Sequence, residues 1–516
     1  MTYGSVKGGF PSYDIRKYRN LNKIKNLDRK KLLEGLEDGF EFVTEPYLHQ
    51  LACFRLGVER DNLLLFLDMG LGKTKIVCDI YRYRRMRSGV ERALVVVPFS
   101  VLRNVWIDEV NKHCGGECTV VTCGGYGETR LQDVLNGRVS ADFVVTTSQH
   151  LLRVSGAFGR RKRVSVSFFD ELASMFDMLI VDEIDAYKNP SAKSTRILIE
   201  LGKRIRYRYG MTGTPMNRTP HDLWSQYTIV AGCTLFGSLS DFRRYFFVPV
   251  VNHWGGVDWK FRKERKSMLD TMMWNDAVRY RVGECYDLPH AVRQTITVRS
   301  TSDIDEEVER IVRTVRESNR NYRTLKNALI AMRQLSSGIV TFLNEKNKEL
   351  RIVRRLDENP KLDALRELIV RLPNDSKVVI FHEYLESYRI LRSLLEALRI
   401  DFVYFNSETR DRGKFLKDFV EGDARVALAN YVSAGSGLNL QVANYVFFYE
   451  TPMAPRQRLQ AEARCIRHGQ KNTVFVYDFA VEGTLDRAIL QSLKKGVDFF
   501  DSVVNGDRTF LELLKR

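Results

Sequence analysis

Short runs of bulky apolar residues recur along the first half of the chain and are separated by stretches with helical spacing. Each run has the length of a buried strand and ends in polar or turn-forming residues. The runs in this half cover residues 63–67, 92–98, 142–148, 178–181 and 207–212. Strands that alternate with helices indicate a mostly parallel sheet.

A second series of runs begins after residue 361, at residues 377–381, 402–405, 425–429, 445–449 and 473–478. Residues 236–360 interrupt the rhythm with aromatic, basic and helix-spaced stretches. The pattern predicts an α/β fold of two lobes with mainly parallel sheets, plus mostly helical insertions between them. The predicted domains are a basic N-terminal extension (1–45), a first lobe (46–235), insertions with the inter-lobe crossing (236–360) and a second lobe (361–516).

The first run breaks into a glycine-rich turn, since residues 68–74 read Asp-Met-Gly-Leu-Gly-Lys-Thr. Gly70 and Gly72 let the backbone approach a phosphate chain, and the following helix would point its N-terminus at the anion. Lys73 supplies positive charge, and the Thr74 hydroxyl is placed to ligate magnesium. An ordinary strand-turn-helix connection is the alternative. Leu67 replaces the glycine that usually opens such a P-loop, which points away from common kinases and small GTPases.

The run at 178–181 ends in two carboxylates, Asp182 and Glu183. An acidic pair at a strand end is common. When the pair lies about a hundred residues after a phosphate loop, this spacing favours a catalytic role for it. Asp182 would hold magnesium, and Glu183 would act as general base toward the attacking water. Gln50, shortly before the first strand, is a candidate for reading adenine with its amide. The expected cofactors are ATP and Mg²⁺.

The composition is globular, with 44% hydrophobic and 28% charged residues, and the net charge is +17. Such an excess predicts attraction to a polyanion, although it can also serve solubility alone. No apolar stretch resembles a signal peptide or a membrane span. We therefore expect no membrane partner and a soluble intracellular protein, cytoplasmic if bacterial or phage and nuclear if eukaryotic.

Hydroxyls at the end of the run at 142–148, Thr146 and Thr147, would suit DNA phosphates, although strand-end threonines are often only turn formers. In the second lobe, Gln460, Arg464 and Arg467 have the i, i+4, i+7 spacing of one helix face. Two guanidiniums on one face repel each other unless an anion such as a triphosphate lies nearby. A surface helix with ordinary arginines is the alternative.

The order of motifs resembles the Swi/Snf-like group of superfamily two helicases, which are ATP-dependent double-stranded DNA translocases, over about residues 46–490. The resemblance is carried by residues 68–74, 182–190, 211–215, 433–440 and 460–470. It implies two RecA-like lobes and an ATP hydrolase. In the first lobe it implies that Gln50 contacts adenine, that Lys73 and Thr74 bind the triphosphate and magnesium, and that Asp182 and Glu183 are the hydrolytic pair. In the second lobe it implies nucleotide contacts for Gly437 and Gln460, and the roles of phosphate sensor and arginine finger for Arg464 and Arg467. Thr212 and Ser433 are the implied nucleic-acid contacts.

Three positions depart from the family pattern. Asp185 stands where the acidic motif usually has His, His49 precedes the adenine-reading Gln where Tyr is usual, and Met453 replaces a common Trp. The short flanks leave no room for a histone-reading domain, so we expect a compact, viral or bacterial, motor.

The favoured function is a DNA-binding helicase-like motor that hydrolyses ATP between its lobes and tracks along duplex DNA. The alternatives are a strand-separating or branch-migrating DNA or RNA helicase, and an ATP-gated nucleic-acid clamp or RNA-polymerase-associated factor. Duplex DNA is the expected partner, with unidentified proteins of replication, recombination or transcription.

Overall fold

Strands form the centre of each half of the chain, as the apolar runs predict. The computed structural model describes residues 19–36, 39–99, 102, 105–124, 130–156, 166–216, 219–232, 235–251, 256–317, 322–343, 351–406, 409, 411–431 and 438–504. The chain divides into two units, Met1–Tyr286 and Asp287–Arg516. This division has a single boundary, between residues 286 and 287. The domain boundaries predicted at residues 235 and 360 therefore stay predictions.

The first unit is built on a parallel sheet that contains, among the described residues, seven strands in the order β3-β4-β2-β5-β6-β1-β9. Two further strands, β7 and β8, form a separate antiparallel hairpin. The strands are β1 (Asn62–Leu67), β2 (Ala93–Val96), β3 (Val120–Cys123), β4 (Phe143–Thr146), β5 (Met178–Asp182), β6 (Tyr207–Thr212), β7 (Phe247–Val251), β8 (Val257–Phe261) and β9 (Ala277–Tyr280).

Helices cover both faces of this sheet. They are α1 (Arg29–Leu33), α2 (Leu48–Glu59), α3 (Lys73–Ser88), α4 (Val105–Cys114), α5 (Leu131–Leu135), α6 (Ser148–Val154), α7 (Val166–Ser174), α8 (Lys193–Gly202), α9 (Leu223–Ala231), α10 (Leu239–Phe246), α11 (Lys266–Met273) and α12 (Val282–Cys285). In β1, Leu63 and Leu65 are buried in one hydrophobic core, and Leu64 and Phe66 are buried in the core on the opposite face. Burial on both faces explains why the strand is a continuous apolar run instead of an alternating one.

The second unit contains another all-parallel sheet, with the described strands in the order β10-β17-β16-β13-β15-β14. Its strands, together with the hairpin β11-β12, are β10 (Ala291–Val298), β11 (Ile339–Leu343), β12 (Arg351–Arg355), β13 (Val378–His382), β14 (Phe402–Phe405), β15 (Val426–Asn430), β16 (Tyr445–Phe448) and β17 (Val474–Val481). Its helices are α13 (Ser302–Glu317), α14 (Tyr322–Leu335), α15 (Pro360–Arg371), α16 (Leu385–Ala397), α17 (Arg412–Val420), α18 (Pro455–Glu462), α19 (Asp486–Lys494) and α20 (Phe499–Val504). The predicted fold of two α/β lobes is therefore confirmed.

The segment at 236–360 contains strands as well as the predicted helices. Its strand β9 pairs with β1 in the first sheet, and its strand β10 pairs with β17 along eight residues in the second. The insertion thus supplies an edge strand to each main sheet. No helix among the described residues is both long and apolar enough to cross a bilayer.

Candidate active site

The glycine-rich turn connects β1 to α3 at the carboxyl edge of the first sheet, where ligands of open α/β sheets bind. Gly70 and Gly72 have φ angles of 82° and 72°, in the left-handed region that favours glycine. Gly72 is also the residue that precedes the first turn of α3, and a Cβ there would collide with the Gln50 amide nitrogen. The positive φ angle therefore favours glycine at position 72, and a side chain there would also displace the Gln50 amide.

Lys73 begins α3, and its ammonium group lies within the turn. The Nζ atom donates a hydrogen bond to the Leu67 carbonyl at 2.9 Å. A lysine in this position places its charge over the loop backbone, where a phosphate chain would lie. Thr74 follows it in the first turn of α3, as the sequence predicts.

Gln50 lies against the same turn, in α2. Its Oε1 accepts from the Tyr47 backbone N–H at 3.0 Å, and its Nε2 donates to the Leu71 carbonyl at 3.2 Å. His49 Nε2 is also 3.1 Å from the Leu71 oxygen. The Gln50 side chain is buried and links the start of α2 to the glycine-rich turn. Its predicted role as adenine reader stays a prediction.

Asp182 is the last residue of β5, and β6 separates that strand from β1 in the sheet. Its carboxylate accepts from the Glu183 backbone N–H at 3.0 Å and from Trp106 Nε1 at 3.4 Å. Burial, with a smaller contribution from the Glu183 carboxylate, raises the pKa of Asp182 to about 6, although the charge of Lys73 opposes the shift. The carboxylate thus lies where a further positive charge would stabilise it.

Glu183 has a left-handed backbone, with φ 48° and ψ 50°. This conformation costs a residue with a Cβ atom on the order of 1 kcal/mol. Strain of this kind clusters at functional sites, where surrounding contacts hold it in place. The sharp bend at Glu183 directly precedes the short 3-10 helix Ile184–Tyr187, which carries the next acidic residue of the motif.

Asp185 connects the acidic motif to the end of β6. Its carboxylate accepts from the Thr212 hydroxyl at 2.8 Å and from the Thr214 hydroxyl at 3.5 Å. Between the two threonines, Gly213 lies so close to the glycine-rich turn that an added Cβ would be 3.3 Å from the Leu67 oxygen. The Asp185 carboxylate therefore links the acidic motif to the end of β6 by hydrogen bonds. The Swi/Snf-like pattern usually has His at this position.

The hydroxyls predicted to contact DNA are buried in this structure. Thr146 donates to the Cys123 carbonyl at 3.0 Å, Thr147 accepts from the His150 backbone N–H at 3.1 Å as the cap of α6, and Thr212 bonds to Asp185. These bonds match the stated alternative, in which strand-end threonines satisfy their own backbone and neighbours. Their nucleic-acid role stays a prediction. Ser433 and Gly437 lie outside the described residues.

The predicted shared helix face in the second unit is wrong. Helix α18 ends at Glu462, so Gln460 lies in the helix whereas Arg464 and Arg467 follow it. The chain leaves the helix because the Arg464 carbonyl accepts from the Leu440 backbone N–H at 3.0 Å, and because Cys465 is buried in the core of the second sheet. Both arginines are partly exposed. Their roles toward a nucleotide stay predictions without the helical argument.

Sequence reasoning missed Trp106 and Gly213. The Trp106 ring is fully buried in α4, and its N–H bonds to a carboxylate that is 76 residues away. No spacing rule identifies a contact at that separation. The position of Gly213 inside a Thr-Gly-Thr sequence was visible, but its approach to the phosphate loop depends on strand order.

The donors around the turn fit a magnesium-nucleotide. A hydroxyl and a carboxylate are hard oxygen ligands, and Mg²⁺ is usually held by one or two carboxylates together with substrate phosphates. The two donors lie at the same edge of the first sheet, with Thr74 in the first turn of α3 after β1 and Asp182 at the end of β5, and a cation nearby would favour the ionised form of the Asp182 carboxylate. Among the described residues, no cluster of three or more His, Cys, Asp or Glu side chains forms an all-protein metal site.

Two family domains match most of the chain. The SNF2-related domain matches residues 31–350, and the Helicase conserved C-terminal domain matches residues 360–469. The chain is 24% identical over 481 residues to the Putative ATP-dependent helicase/translocase YwqA of Bacillus subtilis, covering 88% of this chain and 49% of that protein. It is 22% identical over 475 residues to the Transcription regulatory protein SNF2 of Saccharomyces cerevisiae, covering 87% of this chain and 27% of that protein. The chain thus spans less than half the length of these two relatives.

The Uncharacterized ATP-dependent helicase YqhH of Bacillus subtilis is 24% identical over 487 residues, with 89% of this chain and 79% of that protein covered. A solved Sulfolobus solfataricus SWI2/SNF2 ATPase core in complex with dsDNA is 22% identical, with a TM-score of 0.40 and coverage of 93% of this chain and 98% of that one. The SNF2-related domain covers more than half of the chain. The chain therefore belongs to the SNF2-related family, the Swi/Snf-like group within helicase superfamily two.

Proposed function

We propose that the first unit binds ATP with Mg²⁺ and hydrolyses it, and that the protein uses this turnover to move along duplex DNA. The observation that supports the proposal most is the convergence of three groups at one edge of one sheet. These are the turn with Lys73, the pair Asp182 and Glu183, and the bond between Asp185 and Thr212. A purely structural strand-turn-helix connection would not require these three groups to lie at the same edge.

Each group has a distinct task in the proposed reaction. Lys73 exchanges its bond to the Leu67 carbonyl for phosphate oxygens, and the backbone N–H groups at the start of α3 face the same anion. Thr74 and Asp182 would hold Mg²⁺, which would supply positive charge next to the phosphate chain. Glu183 accepts a proton from the attacking water.

The Asp185 carboxylate would transmit the state of this site to the end of β6. Because Thr212 and Thr214 both donate to it, a shift of the acidic motif on nucleotide binding would move the segment that follows β6. That segment is held in turn by Gln226, whose Nε2 donates to the Pro215 carbonyl at 2.6 Å. This continuous set of hydrogen bonds supports a motor in preference to an isolated nucleotide-binding turn.

Duplex DNA is the proposed track. The net charge of +17 favours a polyanion, and YwqA is named a helicase/translocase. Contacts to phosphates position a protein without reading sequence, so stimulation should be nearly independent of DNA sequence. The contacts predicted for Thr146, Thr147, Thr212 and Ser433 belong to this proposal.

Arg464 and Arg467 are proposed to act on the nucleotide during turnover. The support is their position within residues 360–469, which match the Helicase conserved C-terminal domain. Gln460 and Gly437 lie in the same matched range. An arginine finger acts on charge that develops in the transition state, so its loss should affect turnover more than ATP affinity.

The test is an ATPase assay titrated with duplex DNA, single-stranded DNA and RNA, paired with displacement of a triplex-forming strand. Duplex DNA should stimulate most, and its affinity should fall by roughly a thousandfold or more between 50 and 200 mM salt if six or more phosphates are contacted. The third strand should be displaced while a blunt duplex stays paired.

Other outcomes would replace the proposal. Unwinding of a tailed duplex with stimulation mainly by single strands would indicate a strand-separating helicase. ATP-dependent DNA binding without strand displacement would indicate a clamp. Equal stimulation by RNA would contradict the substrate class.

A further inference from the structure

The hairpin of β7 and β8 has one apolar face. Its directly opposed residues are Phe247 with Phe261, Pro249 with Trp259, and Val251 with Val257, and these pairs alternate with Val248 opposite Lys260 and Val250 opposite Asp258. Opposed residues of an antiparallel pair lie on the same side of the ribbon. The first three pairs therefore form a continuous apolar face, and the other two form a mixed face. We call residues 247–251 and 256–261 the hairpin surface.

The hairpin is packed at its base, and Trp259 in its middle is half-buried against the same hydrophobic core as the base. Phe247 is buried and contacts Phe261 and Phe242 at ring-centroid distances of 5.6 and 5.4 Å. Toward the tip, Val251 is 74% exposed and Val257 is 54% exposed. A two-stranded hairpin is marginally stable by itself, and clustered exposed valines are typical of a surface that a partner covers. Residues 252–255, between the strands, lie outside the described residues.

Positive charge surrounds the apolar face. Residues 243–266 contain seven Lys and Arg against two Asp and Glu, a net charge of +5. Lys260 and Lys263 are exposed, and the Arg243 guanidinium lies 4.9 Å from the centre of the Trp259 ring. A complementary partner must present anions and apolar faces side by side. Unpaired nucleotides have both, whereas a duplex hides its base faces in the stack.

The base of the hairpin is also connected to the candidate active site. Arg243 Nε donates to His221 Nε2 at 2.9 Å, and the His221 ring lies 5.5 Å from Phe247. His221 is in the short 3-10 helix Pro220–Asp222, which follows the Thr-Gly-Thr segment bonded to Asp185. A cavity of about 330 Å³ is lined by residues that follow this segment and by a residue of the hairpin, including Met216 and Phe261. The hairpin base thus contacts the part of the chain that the nucleotide site would move.

We propose that the hairpin surface binds the unstacked bases of single-stranded DNA adjacent to a duplex, so that the motor prefers forked DNA to a blunt duplex. This inference rests on the proposed function, because it assigns a DNA structure to the same motor. The valines and Trp259 contact base faces, and the surrounding lysines and arginines contact the flanking phosphates. The link through His221 makes this contact responsive to the nucleotide.

The test compares forked and blunt DNA of equal duplex length, using the full chain. Wild-type protein should bind the fork at least about fivefold more tightly, since contacts to a single base reach this size when measured by substitution. The double variant Val251→Ser with Val257→Ser removes apolar area without changing charge, and its ratio of fork to blunt affinity should fall to about one. Val353→Ser is the matched control, because Val353 is 50% exposed on another hairpin strand, β12.

A direct readout uses 2-aminopurine at the first unpaired position of the fork. Its fluorescence should change on binding of wild-type and Val353→Ser protein but not of the double variant, and circular dichroism checks that all three are folded. A fork advantage that survives the double substitution overturns the inference. Equal binding of fork and blunt DNA by wild-type protein also overturns it while leaving the duplex motor intact, and loss of stimulation by every DNA would overturn both. Self-association of wild type that the double variant lacks, without any fork preference, would instead assign the surface to a second copy of the chain.

Discussion

Replacing Thr212 by Val should weaken the first unit because it removes the hydroxyl that donates to Asp185 at 2.8 Å. Thr212 is 0% exposed and Asp185 is 2% exposed, so water cannot replace the lost bond. A hydrogen bond to a charged group is worth about 1.5–3 kcal/mol. We expect a loss of this size in the free energy of unfolding. Asp185→Asn should cost less, since the amide oxygen can still accept.

A double-mutant cycle isolates the bond between the two residues. Thr212→Val alone also removes the acceptor for the Thr214 backbone N–H, which is 3.1 Å from the Thr212 hydroxyl. The free energy lost with this second bond is the same whether or not residue 185 is substituted, so it cancels in the cycle. The coupling energy between Asp185→Ala and Thr212→Val, neither of which keeps the bond, should therefore be at least about 1 kcal/mol.

Tryptophan fluorescence during urea unfolding measures this energy in the correct unit, because all five Trp residues lie in residues 1–286. The same variants should lose DNA stimulation of ATPase to a greater extent than they lose activity without DNA. Additive substitutions, with coupling below about 0.3 kcal/mol, would refute the energetic reasoning. Unchanged DNA stimulation would refute the role of the bond in transmission.

Three other predictions follow from the site and the second unit. Lys73→Ala and Glu183→Gln should each lower ATP turnover by at least about a hundredfold with an unchanged circular dichroism spectrum, whereas the surface change Glu200→Gln should not; near-normal turnover in a folded Glu183→Gln protein would contradict the hydrolytic role. Arg467→Ala should lower kcat by about a thousandfold with little change in ATP affinity by equilibrium binding, and the opposite pattern would exclude a finger role. Burial opposes ionisation of Glu462, but the two arginines that pair with it lower its pKa below the ordinary 4.5; its contribution to stability should be present above pH 4.5 and disappear on further acidification, so thermal unfolding of wild type and Glu462→Gln should converge at acid pH.

Strands that are buried on both faces were predictable, because continuous apolar runs have few other uses in a chain of globular composition. The strands that were missed have weaker patterns. Strand β3 is only partly buried at its first three residues, and β9 is four residues long with an arginine inside it. Strand β10 is largely exposed along its length. Edge strands of this kind form because they pair with a neighbouring strand that is distant in sequence. The local pattern of apolar and polar residues does not show such pairing, so these strands could not be predicted from it.

The candidate site was predictable where chemistry and local geometry coincide. The glycines of the turn require unusual φ angles, and Lys73 follows them directly. The face shared by Gln460, Arg464 and Arg467 was not predictable, because helical spacing does not state where a helix ends. In α18 the end is set by tertiary contacts, including the salt bridges from Arg458 to Glu462 and Asp478.

Asp185 accepts two hydrogen bonds at a position where the family pattern usually has His. A neutral imidazole has one nitrogen that accepts and one that donates, whereas a carboxylate has two accepting oxygens. The two oxygens of Asp185 are used by different hydroxyls, Oδ1 by Thr212 and Oδ2 by Thr214. The carboxylate therefore orients both hydroxyls as donors toward the acidic motif, which a single imidazole could do for only one. A His at position 185 would keep at most one of these bonds and would add a group that titrates near neutral pH. The Asp185→His variant should therefore transmit the state of the nucleotide site to the end of β6 less completely than the wild-type protein does.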